Sequence, residues 1–211
     1  MTRIVAGSAK GRTLAVPKSG TRPTSERVRE ALFSRLDHMN VLHGATVLDL
    51  FTGTGALGLE ALSRGAARAT LVERASAAAR VATANVRATG LPAHVVTADA
   101  RTYLAARSSD TLEGEVDLVF IDLPYDIAEE DMTEVLSGLA PWIGPDSLVL
   151  VERSTRVPPP SWPTFLVLED ARTWGETVVY FAGPPLPEEH ERGDSDGCGG
   201  APASSGEEHD R

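Results

Sequence analysis

The feature that most limits the fold of this chain is a strand-sized apolar segment that recurs beside an acidic residue at nearly constant intervals. The segments span residues 46–50, 70–72, 95–97 and 117–121, and Ala-rich stretches such as residues 75–89 separate them. Alternating strands and helices predict a parallel sheet with helices on both faces. The acids, 23 to 26 residues apart, are Asp49, Glu73, Asp99 and Asp122. Because parallel strands end at one edge of their sheet, where open α/β folds bind ligands, these acids are expected to face a single ligand.

Two further segments flank the alternating region on its amino side. Residues 3–5 and 13–16 enclose a Gly-rich turn and predict a short β-hairpin. A helix is expected from about residue 24, because apolar side chains recur there at helical spacing. The stripe consists of Val28, Ala31, Leu32 and Leu36. We therefore treat residues 1–23 as an amino-terminal hairpin extension.

On the carboxyl side, another strand is expected at residues 148–151. Beyond three consecutive prolines, the runs 165–169 and 177–181 predict an antiparallel pair that closes the sheet edge. We assign residues 24–183 to one α/β domain. Residues 184–211 are polar, rich in Gly, Ser and acids, and lack apolar periodicity, which predicts a disordered acidic tail.

The charge of this 211-residue chain is unevenly distributed around its net value of −10. Residues 1–35 hold eight Lys or Arg against two Glu, whereas residues 187–211 hold eight Asp or Glu against two Arg. A basic head on an acidic protein indicates an anionic partner such as nucleic acid. No apolar run reaches the ~18 residues of a membrane helix, and the amino terminus lacks the apolar core of a secretory signal. The single cysteine, Cys198, excludes an internal disulfide, so we expect a cytoplasmic location.

The first strand runs directly into a glycine-rich loop and a helix. Three glycines follow the pattern G-x-G-x-x-G, namely Gly53, Gly55 and Gly58. Dinucleotide and S-adenosylmethionine sites share this pattern, because glycines let the backbone turn tightly against a ligand. Asp49, just before the glycines, opposes a pyrophosphate but suits the cationic amino-acid end of S-adenosylmethionine. Glu73 is placed to accept from ribose hydroxyls and Asp99 from an adenine amino group, so the set favours S-adenosylmethionine over NAD.

The fourth strand closes on the sequence Asp122, Leu123, Pro124, Tyr125. Because Leu123 precedes a proline, its backbone is held extended and its carbonyl has a fixed direction. That carbonyl and the Asp122 carboxylate form two acceptors, enough to hold both protons of an exocyclic amine with its lone pair aimed at a methyl donor. Tyr125 offers a flat ring on which a base taken out of its helix can stack. The motif therefore predicts methyl transfer to an exocyclic amino group.

Together these motifs resemble those of class I S-adenosylmethionine-dependent methyltransferases that modify exocyclic amines. The segments around them are similar to the RsmD family. The similarity rests on residues 3–7, 10–17, 22–33 and 49–65 and extends over residues 3–182.

The resemblance implies an enzyme that methylates N2 of one guanine, position 966 of 16S rRNA, in the helix 31 loop near the P site. It implies a seven-stranded, mostly parallel Rossmann-like sheet with an antiparallel carboxyl-terminal pair and a hairpin that contacts RNA. It also implies that Asp122 and the neighbouring carbonyls hold the guanine amino group while Tyr125 stacks. The cofactor-binding residues are then Asp49, Phe51, Gly53, Gly55, Glu73, Arg74, Asp99 and Ala100.

Three positions depart from the family pattern. Leu123 stands where proline is usual, and Ala6 and Lys10 replace a glycine and an arginine in the hairpin. Lys10 keeps its charge but lacks the bidentate fork of arginine. The basic head supplies the predicted RNA contacts, which are Arg3, Lys10, Arg12, Arg22, Arg27 and Arg29.

Other functions remain open from the residues alone. They are an adenine-N6 or protein-amide methyltransferase, an NAD-dependent oxidoreductase that uses the glycine pattern, and a non-enzymatic ribosome-assembly factor. The five histidines show no metal-ligand spacing, so no metal is expected, and no extra apolar segment suggests more than a monomer. One short basic arm offers little surface for sequence readout, so the expected substrate is an assembled small ribosomal subunit rather than naked rRNA.

Overall fold

The central element of the fold is a seven-stranded sheet with the order β5-β4-β3-β6-β7-β9-β8. A computed structural model describes residues 2–16, 26–106, 116–122 and 128–185. In chain order, the elements are β1 (Thr2–Arg3), β2 (Thr13–Leu14), α1 (Glu26–His38), β3 (Thr46–Leu50), α2 (Ala56–Ser63), β4 (Arg68–Val72), α3 (Ser76–Thr89), β5 (Ala93–Val96), α4 (Ala100–Ala105), β6 (Val116–Asp122), α5 (Glu129–Ser137), β7 (Ile143–Ser154), β8 (Val167–Trp174) and β9 (Thr177–Gly183).

Five neighbouring strands, from β5 to β7, run parallel, whereas β9 is antiparallel to β7 and β8 is antiparallel to β9. The predicted mostly parallel sheet with an antiparallel carboxyl-terminal pair is therefore confirmed. The strand expected at residues 46–50 matches β3 residue for residue. The strand expected at 165–169 was wrong in its bounds, because β8 begins at Val167 and continues to Trp174. Edge strand β8 is mostly exposed and polar, so no apolar alternation marks it.

Apolar side chains cover both faces of the sheet. On one face, α1 and α2 pack against the strands, and the rings of Phe33 and Phe120 lie with their centroids 5.7 Å apart. On the other face, Leu104 of α4 and Met132 and Leu136 of α5 are fully buried against the strands. Of the apolar stripe expected on α1, Val28, Leu32 and Leu36 are buried, whereas Ala31 is half-buried. Helices on both faces leave the carboxyl edge of the parallel strands as the place where a ligand can approach.

The amino-terminal hairpin, β1 and β2, is docked on α2. The backbone N–H groups of Val5 and Ala6 donate to the buried Glu60 carboxylate at 2.7 and 3.0 Å. Ser8 N–H donates to the backbone carbonyl of Ser63 at 2.7 Å. The tip of the hairpin therefore lies at the carboxyl-terminal end of α2, and Ile4 and Leu14 are buried in the core.

The base of the hairpin lies near the glycine loop. The Asn85 side chain accepts from Ala15 N–H at 2.7 Å and donates to the carbonyl oxygens of Ala15 and Thr54 at 3.0 and 2.9 Å. Thr54 belongs to the loop that precedes α2, so one buried amide joins the hairpin, α3 and that loop. Among the helices of the described segments, none is long and apolar enough to cross a membrane.

Candidate active site at the carboxyl edge of the sheet

Four acids predicted to share an edge lie at the ends of four adjacent strands. Because the strand order is β5-β4-β3-β6, the acids follow one another across the edge as Asp99, Glu73, Asp49 and Asp122. Burial raises the pKa of Asp49, and the negative charges of Asp122 and Glu73 raise it further. The sheet therefore brings these acids together beside the glycine loop.

The loop between β3 and α2 turns through left-handed backbone conformations. Phe51 has a φ of 63°, which is strained for a residue with a side chain, and Gly53 and Gly55 have φ of 56° and 82°. Thr52 N–H donates to the carbonyl of Val72 at 3.0 Å and so ties the loop to β4. The strain at Phe51 is sustained by this packing and marks the loop as a candidate ligand contact.

The three glycines of the loop have different physical roles. A Cβ at Gly58 would lie 2.3 Å from Leu71 Cδ2, and one at Gly55 would lie 3.1 Å from Leu71 Cδ1. These two glycines let α2 pack closely on β4. A Cβ at Gly53 would instead meet nothing within 4 Å, so this backbone faces open space where a ligand can approach.

Asp49 organises the loop and the start of α2. Its Oδ2 accepts from Thr52 Oγ1 at 2.7 Å and from Gly58 N–H at 2.9 Å, the bond that an N-cap side chain would make. Its buried Oδ1 has no hydrogen-bond partner within the described residues. Burial raises the pKa of Asp49 to about 7, an effect that the bonds from Thr52 and Gly58 oppose. One oxygen of Asp49 is thus used by the protein, and the other fits a cationic donor.

Glu73 lies directly over the glycine loop. Its Oε2 accepts from Gly53 N–H at 3.0 Å, and its Oε1 accepts from Ala75 N–H at 2.7 Å. Each carboxylate oxygen has a second lone pair, so ribose hydroxyls can still donate to it. Arg74, the next residue, is exposed.

Asp99 caps α4. Its Oδ1 accepts from the N–H groups of Arg101 and Thr102 at 3.0 and 3.4 Å, so this oxygen is engaged in starting the helix. Its Oδ2 makes none of these bonds. Ala100 is 4% exposed and packs in the core, so its side chain is not available to a ligand.

Asp122 ends β6, beside the glycine-loop strand, while Leu123, Pro124 and Tyr125 lie outside the described residues. Sequence reasoning missed Glu152. This carboxylate is 8% exposed and is the register partner of Asp122 on β7. The signal was present, because Glu152 follows the predicted strand at 148–151 as the other acids follow theirs.

Most of the predicted RNA-contacting cations are exposed, but Arg29 is not. Arg29 is 1% exposed, lies 3.7 Å from the Glu60 carboxylate, and donates to the carbonyl of Arg3 at 2.5 Å. Its assignment to RNA contact is corrected here, because a guanidinium buried against Glu60 stabilises the hairpin and cannot reach a phosphate. Arg22 lies outside the described residues. The exposed members are Arg3, Lys10, Arg12 and Arg27.

Comparisons with known proteins agree with this geometry. The family model described as conserved hypothetical protein 95 matches residues 2–183. Ribosomal RNA small subunit methyltransferase D of Escherichia coli K12 is 36% identical over 178 residues, which cover 83% of this chain and 86% of that protein. The protein of the same name from Haemophilus influenzae is 33% identical over 76% of this chain and 84% of its own.

A solved structure gives the same result at the level of the fold. The yhhF protein of Escherichia coli superposes with a TM-score of 0.76 and 32% identity, covering 88% of this chain and 98% of its own. The unpartnered Asp49 oxygen, the open space at Gly53 and the Glu73 carboxylate fit S-adenosylmethionine. The chain therefore belongs to the conserved hypothetical protein 95 family, the RsmD family, and is an S-adenosylmethionine-dependent methyltransferase of Rossmann-like fold.

Proposed function

We propose that this chain methylates N2 of one guanine, position 966 of 16S rRNA, within an assembled small subunit. Relatives that carry the name ribosomal RNA small subunit methyltransferase D support small-subunit rRNA as the substrate. The single observation that supports an amine as the acceptor is Asp122, a carboxylate at the end of β6 and directly beside the glycine-loop strand β3. The negative charge of Asp122 adds to the effect of burial in raising the pKa of Asp49.

Asp122 prepares the amine for reaction. The exocyclic nitrogen of guanine is a weak nucleophile because its lone pair is delocalised into the ring. Asp122 and the Leu123 carbonyl accept its two N–H groups and turn the lone pair towards the reacting carbon. S-adenosylmethionine supplies an electrophilic methyl group on a sulfonium sulfur, so no strong base is needed first. When the nitrogen takes the methyl group, the methyl–sulfur bond would break and leave its electron pair on sulfur as a neutral thioether. Asp122 stabilises the positive charge that develops on the nitrogen and then accepts its proton.

The remaining side chains hold the cofactor and the base. Asp49 would accept from the cofactor's ammonium group, Glu73 from its ribose hydroxyls and Asp99 from its adenine amino group. The backbone of Phe51, Gly53 and Gly55 would lie against it. Arg74 is next to Glu73 and Ala100 is next to Asp99, where Ala100 would meet the cofactor through its backbone alone. Tyr125 stacks on the guanine after it leaves its helix.

Glu152 distinguishes guanine from adenine in this proposal. As the register partner of Asp122, it projects from the same face of the sheet on the neighbouring strand. Guanine carries an N1–H donor beside its N2 amine, whereas adenine carries an acceptor at N1. A carboxylate at Glu152 accepts from the guanine donor and repels the adenine acceptor, which disfavours an adenine-N6 methyltransferase.

The test is methyl transfer from labelled S-adenosylmethionine to hypomethylated small subunits and to naked 16S rRNA, with the modified nucleoside identified by mass spectrometry. We expect N2-methylguanosine at position 966 on the subunits. Asp122→Asn should lower turnover by roughly 10²–10³ and Glu152→Gln by roughly 10- to 100-fold, both with cofactor binding retained.

The matched control is Asp146→Asn, the same change at an exposed residue near the start of β7, away from the carboxyl edge. It should keep full turnover. N6-methyladenosine as the product, methylation of a protein, or wild-type turnover of Asp122→Asn would contradict the proposal.

A further inference from the structure

Two regions of the described chain differ in how their cations are paired. Beyond residue 95, every arginine of those segments is ion-paired with a carboxylate, namely Arg101, Arg153, Arg156 and Arg172. Along the hairpin and α3 most described cations are unpaired; the exception is Arg3, which pairs with Glu26 at 2.8 Å. An ion pair requires a carboxylate oxygen within 4 Å of the cationic nitrogen. Among the described residues, no carboxylate lies that close to any of five cations, which are Lys10, Arg12, Arg74, Arg80 and Arg87. We call these five residues the basic track.

The two segments that carry the track have no carboxylates of their own. Residues 2–16 and 74–92 contain six Lys or Arg and no Asp or Glu, in a chain with a net charge of −10. On α3, the buried face is formed by small residues, whereas Arg80 and Arg87 are exposed. They are seven residues apart, two helical turns, so they lie on one side about 10 Å apart along the axis.

The track is continuous from the active site to the hairpin. Arg74 directly follows Glu73 at the carboxyl edge, and α3 begins two residues later. At the other end of α3, the Arg12 guanidinium donates to the carbonyl of Ala88 at 2.6 Å, which leaves its remaining N–H groups for another acceptor. Helix α3 has 14 residues and is about 20 Å long.

We propose that the basic track binds the phosphate backbone of the RNA beside the target guanine, an inference that rests on the proposed function. A 20 Å row of cations spans several nucleotides at about 3.4 Å per phosphate. Guanidinium groups bind phosphate in bidentate fashion. These arginines give up no internal ion pair when a phosphate arrives. The described arginines beyond residue 95 are already paired with carboxylates, so the RNA is held on the α3 side.

The test compares two double variants with the same loss of charge. Arg80→Gln/Arg87→Gln removes two cations of the track, and Arg156→Gln/Arg172→Gln removes two ion-paired cations from the other side. Binding of hypomethylated small subunits is measured against salt concentration. The track variant should bind roughly tenfold more weakly at ~0.1 M salt, with a log–log salt slope shallower by about 1.4. Cofactor affinity and Tm should match the wild type.

Two results would overturn the inference: a wild-type salt slope for the track variant, or an equal loss for the control variant, which would indicate a general effect of net charge. The binding measurement needs no methyl transfer, so the two proposals fail separately. If guanine 966 is methylated but the salt slope of the track variant is unchanged, the proposed role of the basic track is wrong and the proposed function stands. If the salt slope is shallower but a different base is methylated, the proposed function is wrong and the proposed role of the basic track stands.

Discussion

Asp49 uses one of its two carboxylate oxygens inside the protein. Oδ2 holds Thr52 and Gly58, whereas the buried Oδ1 has no partner in the described part of the chain. Burial raises the pKa of this carboxyl to about 7, above the ~3.9 of an unfolded chain. Its contribution to the free energy of unfolding is therefore greatest below about pH 4 and is lost as the pH rises to about 7. A cationic ligand at Oδ1 reverses this preference, because it favours the ionised carboxylate.

This reversal predicts a pH dependence of cofactor binding. Near pH 6 the free protein holds a proton on Asp49, and binding of S-adenosylmethionine should release most of one proton. Affinity should rise between pH 5 and 7. Calorimetry in two buffers of different ionisation enthalpy measures the proton release, and Asp49→Asn should abolish it. If the cofactor bound at pH 6 with no release of a proton, Asp49 would not be the residue that contacts its cationic group.

The individual side chains of the site were only partly predictable from the sequence. Strand-end acids are visible as a spacing, and the sheet brings all four together as expected. The engagement of Asp49 with its own loop depends on backbone N–H positions that no spacing encodes. Arg29 was misassigned because the sequence analysis took only the apolar stripe as the buried face of α1. The buried face is wider than that stripe and includes Arg29, which lies against Glu60.

Among the elements, the hairpin depends most on a single helix. Glu60 of α2 is fully buried and accepts from two hairpin N–H groups and from Arg64 Nε at 2.8 Å. Ser63 Oγ accepts from Ala9 N–H at 2.9 Å. Gly7 lies against the end of α2 so closely that a Cβ there would be 1.7 Å from the Ser63 carbonyl oxygen. The tip of the hairpin is thus part of the folded domain.

Gly7→Ala and Gly11→Ala form a matched pair that tests this docking. Both glycines have a φ of 81°, so alanine costs a similar backbone strain of about 1 kcal/mol in each. A Cβ at Gly11 meets nothing within 4 Å, whereas one at Gly7 collides with backbone. We expect only Gly7→Ala to lose a further 1–3 kcal/mol of unfolding free energy and the hydrogen-exchange protection of Ser8 and Ala9. Equal behaviour of the two variants would show that the tip is not docked.

Elements with a buried environment were the ones that the sequence predicted well. β3 is buried between neighbours and reads as an apolar run, so its bounds were correct. β8 forms only one ladder at the sheet edge and exposes Val167 and Leu168, so burial did not select its residues. β7 begins at Ile143, earlier than the expected start at residue 148. The sequence did not predict this first part of the strand because it contains Gly144 and Pro145, which are uncommon in strands.

At the scale of the whole molecule, the hairpin runs alongside α2 from the start of that helix to its end. Its base is joined through Asn85 to the glycine loop, and its tip lies at the far end of α2. Helix α2 has eight residues, so the tip is about 12 Å from the start of that helix. Lys10 and Arg12 at the tip are therefore too far from the reacting base to touch it, whereas Asp122 lies at the carboxyl edge.

Distance from the chemistry predicts which kinetic constant each group controls. Phosphate contacts at the hairpin tip are the same in the ground state and the transition state, so losing them weakens binding without slowing the chemical step. Lys10→Gln/Arg12→Gln should therefore raise the KM for small subunits by roughly tenfold and leave kcat within about twofold. Asp122→Asn should show the reverse pattern, with kcat falling and KM nearly constant. Steady-state rates of labelled methyl transfer across a range of subunit concentrations separate the two constants. If kcat of the hairpin variant fell as far as kcat/KM, the tip would be contributing to the transition state, and the hairpin would have to reach the active-site edge when RNA is bound.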